Sequence, residues 1–138
     1  MPGGNDPWAG DGPKTSRDTA PDVGDLYRLN KEVDRLNEKL ADMKDEVAGA
    51  RTVIEYDSER RKNALSRCVL AAFKAGADST SRAEHEARAS SGYELAIKEL
   101  ANAHTLAEQT LREFEVIKIR VEVLRTKLSN ERSLLNLR

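Results

Sequence analysis

Aromatic side chains are scarce in this chain of 138 residues: they make up 4% of it, with one Trp, three Tyr and two Phe. Large rings are the usual anchors of a rounded core, so their scarcity argues against a compact globular domain. Cysteine occurs once, as Cys68. That excludes an intramolecular disulfide, and with it the stapled secreted scaffold. It also leaves no cysteine pair for a zinc site. No apolar run approaches the roughly 18 residues of a membrane span. The N-terminus lacks a basic stretch followed by an apolar one, so no secretory signal is expected. The expectation is a cytoplasmic protein with no membrane contact. Net charge is only −1, which argues against a chain held to nucleic acid by bulk electrostatics.

Proline and glycine are unevenly placed. All four prolines (Pro2, Pro7, Pro13, Pro21) and five of the eight glycines fall within residues 1–24. Such a segment cannot bury enough apolar area to offset its ordering entropy, so 1–24 is expected to be a disordered tail. Trp8, in Asp6-Pro7-Trp8-Ala9, is the only Trp of the chain. It is a candidate partner contact, since Trp is enriched at binding hot spots.

What remains is rich in charge, 34% of the chain, and in Leu, Ala, Glu, Lys and Arg. This is the composition of long helices and coiled coils. From Leu26 the apolar residues recur at alternating spacings of three and four: Leu26, Leu29, Val33, Leu36, Leu40, Met43, Val47, Ala50 and Ile54. A heptad series sustained this long predicts a coiled-coil helix. Carried on, the register reaches Asp57, Arg61, Ala64 and Cys68. The seam thus turns polar across 55–63, and Asp57 and Arg61 are spaced to pair across one helical turn.

Gly76, with Asp78, Ser79, Thr80 and Ser81 after it, predicts the one clear stop: a glycine C-cap and then N-cap residues, with Ser81 and Glu84 at capping-box spacing. Ser90, Ser91 and Gly92 mark a kink in the second helix. A second series then runs Tyr93, Ala96, Leu100, Ala103, Ala107, Thr110, Phe114, Ile117, Val121, Leu124, Leu128 and Leu135. Ile97, Leu106, Leu111, Ile119 and Val123 widen that face, which suits packing against more than one neighbour.

The expected fold is therefore all-α. Residues 25–138 form a two-helix coiled-coil hairpin, with helix 25–75, turn 76–80 and helix 81–135. Each helix has roughly 50 residues and a length of about 75 Å. With a turn near residue 78, Val33 would face Val123 and Leu40 would face Val116. Two helices make a poor core for their length, so a homo-oligomer is expected, most simply a dimer forming a four-helix bundle. A parallel coiled-coil dimer through residues 26–54 is the rival. The expected oligomer core is Leu26, Leu29, Val33, Leu36, Leu40, Met43, Val47, Ile54, Leu100, Phe114, Ile117, Val121, Leu124 and Leu128.

Residues with catalytic chemistry are poorly placed. There is no phosphate-binding glycine loop and no serine on a strained turn between strand and helix. His104 and Glu108 share a helix face, but no second histidine joins them, so neither a metal nor any other cofactor is expected. Cys68 falls on the apolar seam and reads as an inert thiol. Cations gather in two places: Arg60, Arg61, Lys62 and Arg67 at the polar interruption, and Lys118, Arg120, Arg125, Lys127, Arg132 and Arg138 against Glu122 and Glu131 near the C-terminus. Together with Trp8, residues Arg60, Arg61, Lys62, Arg125, Lys127 and Arg132 are the candidate contacts for a partner. That partner is a protein on the leading reading. Nucleic acid is the alternative, through salt-sensitive phosphate contacts.

From Ala71 onward, Ala77-Asp78-Ser79-Thr80-Ser81-Arg82, then Ala83, Ala87, Tyr93, Ala96, Leu100, Ala103, and Glu113 through Leu124-Arg125 with Arg132-Ser133, the chain resembles small helical-hairpin proteins of tailed actinobacterial phages. The resemblance covers about half of the sequence. It implies a phage protein made in the host cytoplasm, near replication or recombination functions, and it carries over no catalytic residue. Taken together, the expectation is a non-enzymatic oligomeric adaptor or scaffold. The alternatives are a nucleic-acid-binding accessory protein and a small helical inhibitor of a host protein.

Overall fold

The computed structural model describes residues 23–137, and these are mostly helical with no strand among them. Five helices occur in order: α1 Val23–Asp42, α2 Lys44–Glu55, α3 Asp57–Lys74, α4 Thr80–Ala89 and α5 Ser91–Asn136. Trp8 and Arg138 lie outside the described residues.

The first helical stretch, expected as one piece, is interrupted at Met43 and Tyr56. Both interruptions are slight. The Met43 N–H is shared between the carbonyls of Lys39 (3.1 Å) and Leu40 (3.3 Å), and the Val47 N–H reaches the Met43 carbonyl at 2.9 Å. At Tyr56, φ is −98° and ψ is 10°. Its N–H still reaches the Thr52 carbonyl at 3.0 Å, and its own carbonyl accepts from Arg60 at 3.0 Å. The backbone ladder therefore runs through both joints, in keeping with the absence of proline and of any side-chain cap bond at either one.

The stop after α3 is built as the glycine suggests. Gly76 has φ +112°, in the left-handed region. The Ala77 N–H bonds the Ala72 carbonyl (3.0 Å) and the Gly76 N–H bonds the Phe73 carbonyl (3.1 Å), the paired bonds of a Schellman cap. The N-cap of α4 is Ser79, whose hydroxyl accepts from the Arg82 N–H at 3.2 Å. The cap thus falls two residues before the expected Ser81, and Arg82 rather than a Glu occupies the third helical position. Ser90 separates α4 from α5. Its hydroxyl donates to the Ala87 carbonyl (2.6 Å) and accepts from the Tyr93 N–H (3.2 Å), closing one helix and opening the next.

The described chain divides into two compact units. The first brings residues 23–38 of α1 together with 119–137 at the end of α5. Its buried side chains are Val33, Leu36, Val121 and Leu128, flanked by half-buried Leu26, Leu29, Leu124 and Leu135. Across this unit Arg132 donates to Asn30 at 3.2 Å, and Arg120 lies 3.7 Å from Glu32. Val33 and Leu128 line one groove, whereas Val123 is exposed. The pairing of Val33 with Val123 expected for a turn near residue 78 is therefore not the one adopted.

The second unit holds residues 39–118. Its core is built from Met43, Val47, Ala50, Ala64, Ala83, Ala87, Ala107 and Ile117. Alanine dominates where α3 and α4 pack on each other. Ala83 is completely buried, and a side chain this small lets backbones approach closely. Further along, Lys39 lies 3.6 Å from Glu113, and Asp57 is 4.0 Å from His104. Ala64 shares a groove with Ala96 and Leu100. Ala71 and Ala72 share another with Ala87 and Ser90. As numbers rise from 39 to 72, those of the neighbours fall from 113 to 87, so the packed segments of this unit run antiparallel.

Candidate interaction surface

Asp57 and Arg61 occupy seam positions, one turn apart in α3, where a leucine or valine would ordinarily stand. Both are half-buried. Arg61 Nε donates to Asp57 Oδ2 at 2.8 Å. From α5, His104 Nδ1 stands 4.0 Å from Asp57 Oδ1, and His104 Nε2 is 2.8 Å from Glu108 Oε1. The His104 Nδ1 atom is buried with no hydrogen-bond partner. The polar interruption of the heptad series is thus an Asp57–Arg61 pair within α3 that His104 of α5 approaches. Among the described residues no group of three or more His, Cys, Asp or Glu is placed to hold a metal ion.

Beside this pair an open groove of about 610 Å³ runs between α3 and α5. Arg60, Asn63 and Arg67 form the α3 wall, Glu99 and Leu100 the α5 wall, and Ala64 and Ala96 the floor. Small floor residues make a trough, and Leu70 at its end is 62% exposed. Neither Arg60, Arg67 nor Glu99 has an ion-pair partner among the described residues. The cations expected at this interruption therefore separate. Arg61 turns inward to Asp57, Arg60 lines the groove, and Lys62 is exposed.

The second group of cations lies in the first unit. Arg125 and Arg132 line a groove with Asn30, Ser129 and Ser133. Arg132 is hydrogen-bonded to Asn30, Arg120 faces Glu32, and Lys127 is exposed. Glu32 also receives two bonds from Arg35, at 2.6 and 3.0 Å. The hydrogen bond from Arg35 is the main reason that the Glu32 carboxyl is held below its usual range. The charges of Arg35 and Arg120 add to this, and partial burial opposes it.

The residues named as oligomer core all face inward to some degree. Val33, Leu36, Met43, Val47, Ile117, Val121 and Leu128 are buried, while Leu26, Leu29, Leu40, Ile54, Leu100, Phe114 and Leu124 are half-buried. Glu99 and Ser66 line the groove but are not singled out by the sequence pattern. A single acid on an acidic and basic helix has no distinguishing signal until its neighbours are known. Arg67 did carry one, standing seven residues after Arg60 and so on the same heptad row. Cys68 is half-buried and lies with Ala71, Ala72 and Ala87.

No helix among the described residues is long and apolar enough to cross a membrane. Comparisons with protein families, curated proteins and solved structures give no match for this chain.

Proposed function

We propose that this protein is a non-catalytic helical adaptor. It is an antiparallel coiled-coil hairpin that joins a second copy in a four-helix bundle and acts by presenting charged faces to a protein partner. The observation that carries this reading is the second apolar row of α5. In the second unit Ala107 and Ile117 turn inward, yet Leu95, Leu106 and Val116 are each more than half exposed. Scattered exposed leucines need no explanation, but a row recurring along one helix marks a surface for another chain. The cores agree with it: among the described residues no large side chain is fully buried. Helices gain most of their stability by packing an apolar face, so a neighbour that covers the open row would add to it.

The adaptor reading is tested by thermal unfolding over a wide range of protein concentration. A folded state that depends on a second copy gives a midpoint that climbs with concentration. A midpoint independent of concentration removes the reading. Nucleic-acid binding stands behind it, because Arg132, Arg120 and Lys118 already have side-chain partners within the chain.

A further inference from the structure

The open face of the second unit carries charges of both signs in a definite order. On α3 the row is Arg60, Asn63, Arg67 and Leu70, preceded by Tyr56 at the N-cap. On α5 it is Leu95, Glu99 and Leu106. Glu99 shares the groove with Asn63 and Ala64, so it stands between the levels of Arg60 and Arg67. Leu106 lies two turns beyond Glu99 on the same flank of α5, near the level of Tyr56, because its neighbour His104 approaches Asp57. The three charged residues lack ion-pair partners among the described residues. The apolar residues beside them are exposed: Tyr56 by 44%, Leu95 by 58% and Leu106 by 64%.

We propose that a second copy of this chain covers this face about a two-fold axis running along the groove, so that Glu99 of each copy enters between Arg60 and Arg67 of the other. A two-fold interface must be complementary to itself. An axis along the groove sets α3 of one copy against α5 of the other at equal height. Tyr56 then meets Leu106, Leu70 comes within about a turn of Leu95, and the acid meets the two guanidinium groups, each contact occurring twice. An axis across the helices would instead set α3 on α3 and α5 on α5. Glu99 would then face Glu99, and Arg60 would face Arg67, which like-charge repulsion opposes. The charge order therefore selects the direction of the axis, and the face's complementarity to itself suits a second copy. This inference rests on the adaptor's assembly as a dimer and names the face that makes it.

The test uses the full chain and charge reversal at exposed positions, with circular dichroism to show that each variant keeps the wild-type helix content. Glu99→Arg alone, and Arg60→Glu with Arg67→Glu, each weaken self-association by roughly a hundredfold, because like charges now meet twice. Mixing the two variants in equal amounts restores a dimer, since every reversed contact is then matched by its opposite. Sedimentation velocity reads all three samples. A Glu99→Arg variant that dimerises as the wild type does would overturn the proposed axis while leaving the adaptor reading in place. The face would then belong to another protein or to the chain's N-terminal segment. Mixed variants that stay apart overturn it equally. A wild type that is monomeric throughout removes the adaptor reading as well.

Discussion

Arg61 reaches back one helical turn to Asp57, with Nε 2.8 Å from Oδ2, at two positions of the helix seam where the repeat calls for apolar side chains. The pair interrupts the apolar core of the second unit and sets a polar contact there toward His104.

Removing one partner of this pair costs more than removing both. Arg61→Leu leaves the half-buried Asp57 carboxylate without its donor and should lose about 1–3 kcal/mol of stability. Asp57→Leu with Arg61→Leu restores an apolar seam and should be neutral or more stable than the wild type, because desolvating a charge pair offsets much of its attraction. Urea unfolding of the three proteins checks the order. A double variant less stable than the Arg61→Leu single variant contradicts it.

The glycines separate by backbone angle. Gly76, at φ +112°, caps α3, and a Cβ there would meet no atom within 4 Å. Gly76→Ala should therefore lose about 1–2 kcal/mol through the left-handed backbone alone. Gly49 lies within α2 at ordinary helical angles, also with open space around it. Gly49→Ala should gain about 0.5–1 kcal/mol. Thermal midpoints moving in opposite directions are the expected result.

Glu32 gives the first unit an acid dependence. Its carboxyl is held below the usual range, chiefly by the Arg35 hydrogen bond. A carboxyl that ionises more readily when folded contributes stability that is fully present above its unfolded value and lost as pH falls through the folded one. Glu32→Gln should flatten the acid limb of the stability profile and leave the neutral region little changed, since the group is near the surface. Carboxyl NMR titration should place Glu32 below the ordinary glutamate value.

The helical class was legible because apolar spacing is a property of the sequence itself. Leu26 to Ile54 and Tyr93 to Leu128 could be traced residue by residue, and the inward turn of Asp57 and Arg61 came from carrying the register on. Gly76 announced its cap through its freedom at positive φ. Ser79 was less visible than Ser81, because both are good caps and only the backbone decides which hydroxyl meets a free N–H. The alanine packing of α3 on α4 was also hidden, since Ala83 and Ala87 look like ordinary helix formers until a neighbour approaches them. Glu99 acquired meaning only from Arg60 and Arg67, more than thirty residues away in the chain and across one groove in the fold.

Size exclusion joined to light scattering measures most directly whether the open apolar row of α5 is covered by a second copy. The mass should be twice the 15.3 kDa of one chain, with high helix content retained by circular dichroism. A mass of one chain at every concentration, with the same helix content, would contradict it.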